Sequence, residues 1–221
     1  MNESLPGNIR TWKALPPALY GLTALEAAPL LLGCCLVRRT EDGEIACRIV
    51  ETESYGGRED KGSHAYGGRR TERTEVMFHS GGEAYVYLIY GMHHCLNLVT
   101  GQEGDPQAVL IRAIEPLTPE DARLMAAYRG APQRKPAGLS GGPGKLCKAL
   151  RIDRSLNGMR MDRPIGPLFL AEGESPPGQP IVCSPRVNIA YAEEYAALPW
   201  RFYLQGNPYV SVVDNQAFPY R

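Results

Sequence analysis

The stretch CCLVRRTEDGEIACRIVETESY, residues 34–55, decides the fold class. Two β-rich runs flank Asp42-Gly43, a dipeptide that favours a tight hairpin because glycine supplies the positive φ the turn needs. The second run carries Glu51, Glu53 and Tyr55 at alternate positions, so a strand continuing that far places them on one face and Val50 and Thr52 on the other. It ends in the segment GGREDKGSHAYGG (56–68), which carries His64. Carboxylates, an aromatic ring and an imidazole thus gather where an apolar strand leaves the core. Polar strand ends are common, and solvent exposure alone would account for them unless other elements bring complementary groups.

Those elements lie on both sides. Upstream, Thr23-Ala-Leu-Glu26 has the pattern of a capping box and predicts a short helix through LEAAPLLL, ended by Gly33. Downstream, EAYVYLIYGMHHCLNLVT (83–100) predicts a second hairpin around Gly91-Met92. Its alternation puts Tyr85, Tyr87 and Ile89 on one face and Val86, Leu88 and Tyr90 on the other, with Tyr90, Met92 and His93 at the tip. Asn97 follows in the return strand. AVLIRAIEP (108–116) is a further strand interrupted by Arg112, and a buried arginine needs an anion such as Glu53. Thr118-Pro-Glu-Asp opens a helix to about Tyr128, followed by the loop GAPQRKPAGLSGGPG and a helix KLCKAL. GPLFLAEG, SPRVNIAY, WRFYLQG and YVSVVD add strand signals in the C-terminal third. Strands at both ends of the chain with helices grouped between them predict an α+β fold. An N-terminal extension, 1–16, partly flexible, is expected to precede one domain over 17–221.

With 221 residues, 43% of them hydrophobic, the chain can bury one substantial core. Its 24 basic and 24 acidic residues cancel, so bulk charge neither requires nor excludes a polyanionic partner. The 129–154 segment is biased: Arg129, Arg134, Lys135, Lys145, Lys148, Arg151 and Arg154 face a single acid, Asp153. It reads equally as a phosphate-facing surface or a solvated loop face. SGGPGKL (140–146) fails as a nucleotide-triphosphate loop, because Leu139 stands where a glycine is required and Leu146 where Ser or Thr is required. What remains is a glycine turn at a helix start, with Lys145 beside it, suited to one backbone phosphate or simply to capping the helix. His93 and His94 point to opposite faces of a strand and no ligand cluster adjoins them, so no metal is expected. A GxSxG elbow is absent. Six cysteines without CxxC spacing read as reduced thiols. The polar N-terminus and the lack of any apolar run of roughly 18 residues predict an intracellular protein with no membrane association.

Taken together, RIVETESY, AYVYLIYGMHHCLNLV, VLIRAIEP, GPGKLCKAL and PYVSVVD resemble, in the same order from about Pro17 to Asp214, the alkyladenine (3-methyladenine) DNA glycosylase family, the mammalian-type repair enzymes also found in bacteria. The resemblance implies a single α+β domain with a curved antiparallel β-sheet, surrounding helices and a protruding β-hairpin, similar to the C-terminal domain of methionyl-tRNA formyltransferase. It implies a monofunctional DNA glycosylase of base excision repair that flips and hydrolytically excises alkylated or deaminated purines (3-methyladenine, 7-methylguanine, hypoxanthine, ethenoadenine) and leaves an abasic site. Glu53 matches the general base, and Arg112 and the Val187 carbonyl match the groups that orient its water. Tyr55, His64 and Tyr87 match the residues enclosing the flipped base, and Asn97 the one lining its edge. Tyr90, with Met92 beside it, matches the intercalating tip, and His93, Gly144 and Lys145 are assigned to the DNA backbone. No cofactor is implied. The expected partner is double-stranded DNA containing damaged purines, approached from the minor groove by a monomer with no obligate protein partner, in the cytoplasm and associated with the nucleoid. Ser54 stands where the family carries alanine, and His93-His94 where it carries a more aromatic pair. The rival reading, a non-catalytic module that binds lesions in the same aromatic pocket, would need neither Glu53 nor Arg112.

Overall fold

In the computed structural model, which describes residues 10–130, 132–173 and 179–220, the expected hairpin forms from β1 (Cys35–Thr40) and β2 (Gly43–Tyr55). Gly43 closes its turn at φ 131°, a conformation side chains disfavour. β2 organises the sheet. One of its edges pairs with β5 (Gln107–Pro116), while the other is shared in succession by β1 and by β8 (Arg201–Leu204). The order runs β3 (Ala84–Ile89), β4 (His93–Thr100), β5, β2, β8, β7 (Ile181–Ser184), β9 (Phe218–Pro219), with β6 (Leu168–Ala171) on the outer side of β1. Every one of these pairings is antiparallel.

The helices are set by their caps. α1 (Ala24–Leu30) starts with Thr23 and Glu26 in a reciprocal capping box. α2 (Pro119–Arg129) starts with Thr118 and Asp121 in another and ends at Gly130, φ 72°. α3 (Pro136–Ser140) and α4 (Pro143–Ala149) follow. One sheet face sends Val86, Leu96, Leu98, Val109 and Ile111 into the main core with residues of α1, α2 and α4. The opposite face carries Tyr85, Val99 and Ala108, packed under the 56–82 segment through Ala65, Val76, Met77 and Phe78.

Two register slips decide what β2 presents on that second face. Ile49 pairs with Ile114 and Glu51 with Ala113, leaving Val50 as an extra residue on β2; Thr52 then pairs with Ile111, leaving Arg112 extra on β5. Before the slip, Ile45, Cys47 and Ile49 face the main core, and after it Val50 does. Strict alternation would have sent Glu51 and Glu53 into the apolar core as well. The bulge reverses the phase and turns them to the opposite, also covered, face of the sheet, the re-aiming that bulges commonly provide. Arg112, out of register, gives its carbonyl to the Gly142 amide at 2.9 Å and so ties β5 to the start of α4.

Several sequence expectations are corrected. The predicted loop 130–144 contains α3, whose proline at the first helical position compensates for the lack of a side-chain cap. SPRVNIAY is not a strand: only Ser184 belongs to β7, and Asn188 sits at φ 60°. YVSVVD is not a strand either. Its backbone groups are taken by side chains instead of a ladder: the Ser211 amide donates to Glu51 (2.7 Å), Arg201 donates to the Val212 carbonyl (2.7 Å) and the Tyr203 hydroxyl to the Asp214 carbonyl (3.3 Å). Residues 1–9 of the expected N-terminal extension lie outside the described residues. Within 10–16, Arg10 bonds Asp121 and Trp12 donates to Glu44 at 2.9 Å.

Candidate active site

Glu51 and Glu53 are fully buried, with Arg112 between them. The Arg112 Nε donates to Glu51 Oε1 at 3.1 Å and its Nη1 to Glu53 Oε2 at 3.3 Å. Glu53 also accepts the Val187 amide on Oε1 (2.7 Å) and the Tyr55 hydroxyl on Oε2 (3.0 Å). Glu51 is held from behind by Arg201 at 3.0 Å and by the Ser211 amide. Burial works against the charge of Arg112, but Glu53 and then Glu51 outweigh it, and its pKa is raised. Burial, then Glu53, push the Tyr55 phenol well above its ordinary value, so its hydroxyl keeps the proton it donates.

A cavity of about 250 Å³ opens beside this cluster. Tyr55, Arg112 and Val187 line it, whereas Glu53 lies one hydrogen bond behind them. The other walls include His64, Tyr87 and Asn97. The His64 and Tyr87 rings meet edge to face with centroids 4.6 Å apart. Burial, then Arg73 and Arg69, lower the His64 pKa to about 4. Arg73 approaches Nε2 at 3.4 Å and can only donate, so the ring proton belongs on Nδ1, facing the Tyr85 hydroxyl at 2.9 Å. A neutral imidazole results, with no charge to repel a cation. Asn97 pairs across the hairpin with Tyr85 and donates its side-chain amide to the Tyr85 carbonyl at 3.0 Å, which fixes its orientation.

The β3–β4 hairpin ends in a turn closed by the Met92 amide on the Ile89 carbonyl at 3.2 Å. Tyr90 and Gly91 both have positive φ, 52° and 68°. Such a backbone costs a tyrosine about 1–2 kcal/mol, and here it throws the ring outward, 79% exposed, with Met92 70% exposed beside it. Alternation assigned Tyr90 to the face opposite Tyr87; the turn breaks that alternation, and Tyr90 borders the same cavity. His93 and Gly144 form another part of the rim. A Cβ on Gly144 would fall 3.1 Å from the His93 side chain, so glycine permits this close approach of α4 to β4. Lys145 is exposed next to it, off the cavity, and donates to the Ala137 carbonyl at 3.2 Å.

Residues 18–208 match the model of the family described as Methylpurine-DNA glycosylase. The chain belongs to that family. Relatives named "Putative 3-methyladenine DNA glycosylase" support the assignment: one from Desulfitobacterium hafniense is 49% identical over 90% of this chain and 99% of its own length. One from Natranaerobius thermophilus is 46% identical over 86% of this chain and 94% of its own, and one from Bacillus cereus 45% identical over 89% and 98%. This member of the methylpurine-DNA glycosylase family is accordingly a DNA glycosylase, a hydrolase of N-glycosyl bonds.

The structure adds to the candidate site residues that sequence reasoning missed: Arg201 behind Glu51, Arg73 against His64, and the buried pair Asp60 and Arg186 behind Tyr55. Arg201 and Arg186 are far in sequence from the groups they touch, and Asp60 and Arg73 lie in the irregular 56–82 segment, where no periodicity shows which way a side chain points; only the arginine in WRFYLQG, breaking an apolar run as Arg112 does, offered a signal. Among the described residues no helix is long and apolar enough to cross a membrane. The Ser54 hydroxyl is buried without a partner. Ser54→Ala is expected to raise stability by about 1 kcal/mol, since an unsatisfied hydroxyl costs more than a methyl group in its place. A lower denaturation midpoint in urea would show that the hydroxyl is satisfied.

Proposed function

We propose that the cavity receives a damaged purine extruded from duplex DNA and that Glu53 is the general base for its hydrolysis. The observation that carries this reading is the buried Glu53 carboxylate, fixed by three donors that each belong to a cavity-lining residue. Glu53 Oε1 accepts the Val187 amide, which leaves it a lone pair for a water entering from the cavity between Tyr55, Arg112 and Val187, with the Val187 carbonyl as that water's further acceptor. Water attacks C1′ of the deoxyribose, Glu53 takes its proton, and the C1′–N bond breaks with its electron pair going to the purine. A base alkylated on a ring nitrogen carries positive charge before cleavage and leaves neutral. The substrates this suits are 3-methyladenine and 7-methylguanine; hypoxanthine and ethenoadenine, the neutral members of the set, would leave as anions and need in addition a proton delivered to a ring nitrogen of the leaving base. Release of free purine from an alkylated duplex tests the reading.

Extrusion costs a few kcal/mol in lost pairing and stacking. Tyr55 and Tyr87 with the neutral His64 recover part of it, about 1–3 kcal/mol for each base–aromatic stack. Asn97 lines the edge of the base. Tyr90, with Met92, fills the gap in the helix from the minor groove. His93, Gly144 and Lys145 lie along the backbone, and the enzyme works as a monomer on chromosomal DNA in the cytoplasm. Tyr90→Ser should therefore slow excision from fully paired duplex by roughly 10–100-fold while leaving single-stranded lesions nearly unaffected, because the wedge acts on the stack. Equal losses in both contexts would make Tyr90 a pocket or core residue instead.

A further inference from the structure

Behind Tyr55 lies an ion pair that the hydrolysis does not use. The side chains of Asp60 and Arg186 are both 0% exposed and joined by two bonds, Nη1–Oδ2 at 2.6 Å and Nη2–Oδ1 at 2.8 Å. Asp60 also accepts the amides of Gly56 (3.0 Å) and Gly62 (2.8 Å), and Arg186 donates to the Ser54 carbonyl at 2.9 Å. The guanidinium lies over the Tyr55 ring at 4.7 Å from its centroid and over Trp200 at 5.0 Å. A Cβ on Gly62 would fall 2.9 Å from Arg186 Nη2, so glycine at 62 permits the guanidinium to pack this closely. Tyr55 lines the cavity, and neither Arg186 nor Asp60 does. The ring therefore borders the cavity and also carries a buried cation against one of its faces.

We propose that the Asp60–Arg186 pair sets the attraction of the Tyr55 ring for charge and thereby the balance between cationic and neutral purines in the cavity; this rests on the base-stacking reading above. An aromatic ring attracts cations through its electron-rich faces. A guanidinium against one face draws that density towards itself and repels a second cation brought to the ring, so alone it would disfavour alkylated, positively charged bases. Asp60, bonded to both terminal nitrogens, offsets the charge. A buried pair of this kind is weak evidence for stability, since apolar residues of similar volume often serve as well. Its placement against the stacking ring gives it a reason to be ionic. Asp60 and Arg186 are positioning residues that act through Tyr55.

The test uses duplexes carrying 7-methylguanine or hypoxanthine on a 2′-fluorinated sugar, which resists cleavage, so that affinity is read without excision. Asp60→Asn leaves the guanidinium uncompensated and should lower the preference for 7-methylguanine over hypoxanthine about fivefold. The double variant Asp60→Asn/Arg186→Gln removes both charges while keeping hydrogen-bonding groups, and should raise that preference about threefold over the wild type. The double variant decides the matter alone if Asp60→Asn does not fold. Equal weakening on both lesions, with the preference unchanged in the double variant, would make the pair purely structural and overturn the proposal. A wild-type protein that binds neither lesion better than undamaged duplex would instead remove the base-stacking reading, and the proposal with it.

Discussion

Glu53→Gln is expected to bind damaged duplex and release almost no base, with single-turnover excision of 7-methylguanine reduced by roughly 10²–10⁴-fold, the usual contribution of a general base. The amide matches the carboxylate in size but cannot take a proton from water. It also presents one oxygen where the carboxylate offers two, against three donors: the Tyr55 hydroxyl, Arg112 and the Val187 amide. At least one donor then faces an NH₂ group, and stability should fall by about 1–3 kcal/mol. That loss is small enough for lesion binding to persist. Excision within a few-fold of wild type would remove Glu53 from the chemistry.

Arg112→Gln should damage both stability and activity. Arg112 is the cation shared by two fully buried carboxylates. Without it Glu51 keeps Arg201 and the Ser211 amide, whereas Glu53 keeps only neutral donors. Stripping one partner from a buried pair typically costs about 3–5 kcal/mol. Because the cost comes from a buried carboxylate left without its cation, the double variant Arg112→Gln/Glu53→Gln should recover part of the loss. Urea denaturation of the four proteins of that cycle measures the coupling. Strictly additive losses would mean that Arg112 acts through packing, and that Glu53 does not depend on its charge.

What could be read from the sequence was what local chemistry controls. Asp42-Gly43 set the first hairpin, Thr23 with Glu26 and Thr118 with its following proline set two helix starts, and Arg112 in an apolar strand pointed to a buried anion. The bulges were harder. Adjacent apolar pairs at Ile49-Val50 and Ala113-Ile114 break strict alternation, but only the partner strand shows where the register slips. YVSVVD has a strand's composition, yet its backbone is captured by Glu51, 160 residues earlier, and by Arg201 and Tyr203. Tyr90 obeyed the alternation of its strand only up to the turn, where positive φ redirected it. In the site, Tyr55, His64, Tyr87, Asn97 and Arg112 meet the cavity and were identifiable by their chemistry, and Glu51 was legible beside Glu53 from the alternation of its strand. Arg186 and Arg201, which hold these groups in place, depend on long-range packing that no local pattern specifies.

Hydrolysis of the glycosidic bond by a water, as proposed for Glu53, can be read on a duplex with a single 7-methylguanine and one end-labelled strand, incubated with excess enzyme at neutral pH, with the free base and the strand followed separately. One free 7-methylguanine per duplex is expected, with a strand that stays intact until alkali cleaves it at the abasic site. Tight, lesion-specific binding with no free base, or strand scission without alkali, would contradict it.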